Sequence, residues 1–331
     1  MNLKPLLSVA SLAIGAAVAL TQTTAPALAQ AYPNKAINMV QAFASGGGMD
    51  PVARLLANDI EKQTGQQIIM DYRAGAGGSI GTTFAVRAPA DGYTILISPG
   101  GPIITSKYLI AGVPYDGLKD LQPISMIAET PLVIVANSDK VKAKTLPEFI
   151  AYAKANPDTV TAANVGIGSG GHLSAVLLEK IAGIKLRHVP YKGTGQMMAD
   201  LVSGQVDLTI NFFAGFGPHV DKGTMHVLSV LSDKNIPDSL KKYPSSASAG
   251  FPTLNVTGYY ALFAPKGTPA AAVTKLNGLV ADFVKTDAAK QKLGELGYTT
   301  ASSTPEELTK YLIAEDAKWG SLIKEVGLKP E

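Results

Sequence analysis

Cysteine is missing from all 331 residues. Disulfides, thiolate-held metal ions and lipid attachment at a processed N-terminus are therefore excluded. An excess of one charge is missing too. The 29 Lys and Arg are set against 26 Asp and Glu, with no basic tract, which argues against a nucleic-acid partner. Long apolar runs are confined to Leu6–Leu20, and no short-period repeat occurs. The four histidines, His172, His188, His219 and His226, lack metal-ligand spacing, and no His-Glu-x-x-His is present. No cofactor and no metal are therefore expected.

What is present begins with an export signal. Lys4 supplies a positive start, Leu6–Leu20 is too short to cross a bilayer comfortably, and Ala27-Leu28-Ala29 is an A-x-A cleavage signal. The alternative is an uncleaved anchor helix. Cleavage after Ala29 removes only Lys4 among the charged residues, so the balance stays near neutral. Export of a soluble chain points to the periplasm.

Ile37 to Arg54 organises the rest. Ile37, Met39 and Val40 form an apolar run of strand length. Ser45 to Gly48 breaks it with three successive glycines, which leave no side chains in front of the backbone. Asp50 followed by Pro51 reads as an N-cap and a first helical residue. Backbone N–H groups at such a helix start suit an anion. A plain tight turn between strand and helix is the other reading. No Gly-Lys-Ser/Thr follows, so this is not a nucleotide-hydrolase phosphate loop.

Strands and helices then alternate. Helical spacing covers Val52–Lys62, with Gly65 as its stop. Strands are expected at Gln67–Met70, Tyr93–Ile97, Leu132–Ala136, Val160–Val165, Arg187–Tyr191, Val206–Asn211, His226–Leu231 and Tyr259–Ala264. Thr268 is expected to cap the helix near Ala270–Lys285, and Pro305–Val326 reads as a terminal helix around Trp319. This pattern predicts an α/β fold with mostly parallel sheets, where ligands bind beyond the carboxyl ends of strands. Ser98-Pro99-Gly100-Gly101 is a second glycine loop at such an end. Residues 235–257, rich in Pro, Ser, Gly and Ala, read as a return crossing between two lobes. The expected partition is 30–128 for the first part of lobe 1, 129–250 for lobe 2, and 251–331 for the return to lobe 1.

The strand–glycine loop–helix design recurs at Gly166-Ile167-Gly168-Ser169-Gly170-Gly171-His172. It matches a dinucleotide fingerprint, but the next strand end, His188 to Lys192, lacks the required acid. A second cradle for an anion or polar ligand fits better. Ser169 and His172 raise the possibility of an exported hydrolase or isomerase. The Gly-x-Ser-x-Gly elbow fails around Ser169 because residue 167 is Ile, and a helix start disfavours an imidazolium. His172 is therefore read as a neutral hydrogen-bonding group for ligand or loop, and the chain as a non-enzyme. Phe212, Phe213 and Phe216, just past a strand end, read either as a cleft wall or as core.

Taken together, several short motifs resemble the substrate-binding proteins of tripartite tricarboxylate transporters, the Bordetella uptake receptors. They are Tyr32-Pro33, Phe43 with Gly46-Gly47 and Asp50, Arg73 with Gly75-Ala76-Gly77-Gly78, and Asp91-Gly92-Tyr93-Thr94. Val189-Pro190-Tyr191-Lys192-Gly193, Gly204-Gln205-Val206-Asp207 and Ala264-Pro265-Lys266-Gly267-Thr268-Pro269 complete the series. The resemblance implies a type II periplasmic-binding-protein fold, two α/β lobes closing on a solute. It implies a small carboxylate ligand, membrane permease subunits as partners, and a monomeric receptor; a solute sensor for a signalling partner is the variant reading. The candidate ligand-binding set is Phe43, Ala44, Ser45, Gly46, Gly47, Asp50, Ser98 and Gly100 on one lobe. On the other it is Gly168, Ser169, Gly171, His172, Asn211 and Phe213. Two departures bear on the ligand. Met49 replaces the family's usual Thr or Ser, and Asn211 stands where an Asp often meets an amino-acid amine. A dicarboxylate with an aromatic or aliphatic body is therefore expected, terephthalate-like or adipate-like.

Overall fold

The computed structural model describes residues 32–330; the export signal and its cleavage site lie outside them. The described strands are β1 (Ile37–Gln41), β2 (Ile68–Tyr72), β3 (Thr94–Ser98), β4 (Leu121–Pro131), β5 (Val133–Asn137) and β6 (Thr161–Asn164). They continue with β7 (Arg187–Pro190), β8 (Leu208–Asn211), β9 (Met225–Val230), β10 (Thr257–Pro265) and β11 (Thr299–Thr300). They form two sheets, ordered β11-β4-β10-β3-β1-β2 and β7-β6-β8-β5-β9.

Both sheets are mixed, which corrects the expectation of mostly parallel ones. The pairs β1–β2, β1–β3, β6–β7 and β6–β8 are parallel, whereas β10 pairs antiparallel with β3 and β4, and β5 antiparallel with β8 and β9. The cause is the route of the chain. β4 leaves the first sheet and β10 re-enters it at the same end, where Pro131 pairs with Thr257, so the two neighbours run opposite ways. The same holds for β5 entering the second sheet and β9 leaving it. β4 itself was not foreseen. Pro123 and Pro131 interrupt its apolar pattern, and a register shift at Leu262/Phe263 adjoins the pairing of Phe263 with Pro123.

Where the chain crosses between sheets, its segments bond to one another. Leu132 N–H donates to Val256 C=O (3.0 Å), Val256 N–H to Leu231 C=O (2.7 Å), and Leu231 N–H to Leu132 C=O (2.8 Å). Each sheet is covered on both faces. Helices Met49–Thr64 and Ala270–Lys285 bury Val52, Leu56, Ile60, Leu276 and Val280 against one face of the first sheet. A fully buried Leu or Ile of this kind contributes about 1.5–3 kcal/mol. Helix Pro305–Glu325 is shared: Leu308 and Leu312 lie in the core of the first sheet, Trp319, Leu322 and Ile323 in that of the second. One cap differs from expectation. Pro269, not Thr268, caps the helix from Ala270, because the Thr268 hydroxyl donates to Pro265 C=O (2.8 Å).

Candidate ligand cleft

The first loop leaves β1 at Gln41 and enters helix Met49–Thr64. Gly46 takes φ +78°, a region that only glycine enters without strain. The helix starts two residues earlier than the sequence suggests, with Gly48 as its N-cap, so Asp50 is not the cap. Gly48 already holds right-handed helical angles. The Asp50 carboxylate turns back under the loop instead. It accepts from Gly46 N–H (3.1 Å), Tyr72 Oη (2.6 Å), Gln41 Nε2 (3.3 Å) and Arg54 Nε (3.2 Å). Burial raises its pKa, but the bonds from Tyr72, Gly46, Gln41 and Arg54 outweigh that and hold it below the usual carboxylate range. Asp50 shapes the loop, and it occupies the Gly46 N–H.

The second loop follows β3. Ser98 is fully buried inside the strand end, its hydroxyl donating to Pro99 C=O (3.0 Å), so it does not face the cleft. Pro99, Gly100 and Gly101 do.

On the second sheet, β6 runs into Gly166–Ser169 and helix Gly170–Ala182. Ser169 caps this helix, its hydroxyl accepting from His172 N–H (3.3 Å). His172 turns away from the cleft. Its Nδ1 accepts from Gly168 N–H (3.3 Å), and its ring meets His188 edge-on at 5.0 Å. Burial, with the His188 charge second, lowers its pKa to about 4, so the ring is neutral and braces the loop.

At the end of β8, Asn211 Oδ1 accepts from Phe212 N–H (2.8 Å). Phe212 forms the aromatic wall, edge-on to Tyr260 at 5.0 Å. Phe213 points the other way, into the core beside Tyr243 at 5.7 Å. Neighbouring residues of an extended chain face opposite sides, so only one of the pair reaches the cleft. Phe216 is fully buried.

These loops enclose a cleft of two chambers. The larger and the smaller share Phe43, Pro99, Val165, Asn211 and Phe212 as a throat. Ala44, Gly47, Gly48 and Met49 line the smaller chamber; Gly100, Gly168, Ser169 and Gly171 line the larger. Of the candidate residues, Ser45, Gly46, Asp50, Ser98, His172 and Phe213 line neither. Thr194, Val165, Thr257, Tyr259, Glu315 and Trp319 line the cleft without having been foreseen. The last three come from a strand and a helix far along the chain, and no local motif marks them.

The two sides touch directly. Thr105 Oγ1 donates to Gly168 C=O (2.6 Å). A Cβ on Gly101 would lie 2.9 Å from Gly168 O, and one on Gly77 2.6 Å from Ile167 O. Two helices of 16 and 13 residues thus direct their N-termini toward the two adjoining chambers, Gly47–Met49 toward the smaller and Ser169–Gly171 toward the larger. Both ends favour negative charge. Among the described residues there is no cluster of His, Asp and Glu able to hold a metal ion, and no helix is long and apolar enough to cross a membrane.

Comparison with known proteins agrees with this architecture. The family described as tripartite tricarboxylate transporter family receptor matches residues 52–328. The protein BugT of Bordetella pertussis is 33% identical over 330 residues, covering 99% of each chain. The structure of R. palustris Rpa4515 with adipate superposes with a TM-score of 0.86 at 32% identity, over 91% of this chain and 100% of that one. MatC (Rpa3494) from Rhodopseudomonas palustris with bound malate gives 0.82 at 28% identity, over 88% and 100%.

Proposed function

The chain belongs to the tripartite tricarboxylate transporter receptor family, and from that premise we propose that it captures a small organic carboxylate in the periplasm and hands it to membrane permease subunits. The lobes that close on it are read as 30–128 with 251–331, and 129–250. The observation that carries this reading is the pair of helix N-termini opening on one cleft. A carboxylate accepting a few hydrogen bonds of about 1.5–3 kcal/mol each reaches roughly micromolar affinity after the cost of immobilisation. The solved relatives hold adipate and malate. Both are dicarboxylates, which supports the same class here, one carboxylate at each helix end and the body against Phe212.

The rival reading, a hydrolase or isomerase built on Ser169 and His172, finds no support in their geometry. The Ser169 hydroxyl meets the backbone N–H of His172 rather than its imidazole, and Nδ1 is taken by Gly168. A thermal-shift screen of mono-, di- and tricarboxylates, aromatic acids and amino acids tests the proposal. A saturable rise in Tm confined to carboxylates supports it. No shift with any carboxylate overturns it.

A further inference from the structure

The smaller chamber carries one polar side chain with nothing in the protein to bond. Thr194 opens helix Thr194–Ser203 on the side of the second sheet, directly after its N-cap, Gly193. A threonine at the N-cap itself spends its hydroxyl on the helix's own N–H groups. Thr194 stands one place further on and makes no such cap. Its hydroxyl bonds no group among the described residues and, in a half-buried residue, stays open to solvent. It is turned toward the other lobe: Oγ1 is the nearest atom to where a Cβ on Gly47 would sit, at 3.3 Å. Gly47 and Thr194 both line the smaller chamber.

The other polar groups of this chamber are already engaged. Asn211 Oδ1 accepts from Phe212 N–H, and its amide nitrogen is directed at Met197 Sδ (3.9 Å). The Tyr260 hydroxyl bonds Tyr298. Among the described residues no charged side chain lines the chamber, so an anion there is held by neutral donors. The loop after β1 offers the N–H groups of Gly47 and Gly48, which bond nothing among the described residues, whereas Gly46 N–H is taken by Asp50. Those backbone donors belong to one lobe, and alone they would hold an anion equally well with the lobes apart. A contact that favours the closed form has to come from the other side. We propose that Thr194 is that contact, its hydroxyl donating across the seam to a ligand carboxylate seated at Gly47 and Gly48, so that filling the smaller chamber fastens the two lobes together. A carboxylate can only accept, which fixes the direction of the bond. The inference rests on the receptor reading above and assigns it a residue that couples binding to closure.

Matched pairs test it: adipate against hexanoate, and succinate against butyrate, titrated calorimetrically into the purified protein. Each mono-acid keeps the carbon chain and needs only one of the two chambers. Thr194→Val keeps the shape and removes the hydroxyl. It should weaken a dicarboxylate that binds by about ten-fold, the yield of one hydrogen bond to a charged acceptor, and its mono-acid by less than about two-fold. Thr194→Ser restores the hydroxyl and should bring the affinity back to within about three-fold of the original. The Tm without ligand should stay within about 2 °C in both variants. Thr194→Ala carries the same comparison if the valine variant fails to fold, and the serine recovery decides where a mono-acid is too weak to titrate. An unchanged dicarboxylate affinity in Thr194→Val, an equal loss for the mono-acid, no recovery with serine, or no binding of either dicarboxylate overturns the inference and leaves the receptor reading standing. Absence of binding by every carboxylate overturns both.

Discussion

The two glycine loops that face each other across the cleft share a design and differ in what holds them. The loop after β1 is braced by a charge: the Asp50 carboxylate gathers Gly46, Tyr72, Gln41 and Arg54. The loop after β6 is braced by neutral groups, the Ser169 cap and the His172 imidazole. The first helix therefore carries an acid in its opening turn, while the second has none. A negative charge near a helix start offsets part of its pull on a bound anion. On the proposed reading the loop after β6 would be the stronger anion end, and the loop after β1 the one held by more hydrogen bonds.

The largest expected effect comes from removing the close approach that seats the second loop. A Cβ on Gly171 would lie 2.1 Å from Ile210 C=O. Gly171→Ala should cost about 3 kcal/mol, the upper end for overpacking, in urea unfolding, and should abolish ligand-induced stabilisation.

Asp50→Asn removes the charged brace of the first loop. A loss of about 2 kcal/mol is expected, since hydrogen bonds to a charged group are worth more than neutral ones. The pH signature is specific. The folded-state pKa of Asp50 is depressed, so its stabilisation is complete above the unfolded value of about 3.9 and lost as pH falls through the folded value. Unfolding below pH 4 should be less steep in the variant; an unchanged acid limb would show that Asp50 is not the brace.

His172 gives the converse at milder pH. Its folded pKa is lowered to about 4, so the unfolded chain binds the proton more tightly. Stability is complete above about pH 6.5 and falls as pH drops from there toward 4. His226, also lowered by burial, adds to the same slope. His172→Asn, which keeps an acceptor for Gly168, should remove part of the loss of unfolding free energy between pH 7 and 5, by about 1 kcal/mol in urea unfolding. The second loop should therefore loosen in weak acid before the first does.

The smallest effect concerns closure. Gly77 has φ +59° and touches the backbone at Ile167. Gly77→Ala should cost only about 1 kcal/mol in stability yet reduce affinity a few-fold, by holding the lobes apart. Unchanged affinity would show that this contact is incidental to binding.

Much of this was legible in the sequence, and the failures have physical causes. The glycine loops, helix periods and alternation that define two α/β lobes are local signals. Asp50 was misjudged because N-cap and second-position acids look alike until the angles of Gly48 are known. Phe212 and Phe213 could not be told apart where the strand ends, because the alternation that separates inner from outer residues stops there. Pro123 and Pro131 hid β4. Tyr259, Glu315 and Trp319 meet the loops only through folding, across some of the longest separations in the chain.

Helix Pro305–Glu325 buries its first half in one core and its last turns in the other. Beside it, Leu132, Val256 and Thr257 cross between the sheets and line the same chamber. Together they form the spine of a book. Pages bound there separate most at the free edge, where Gly77 meets Ile167 and Gly47 meets Thr194. A solute would enter past those edges, and the Glu315 end of the chamber would be the last part to become wet.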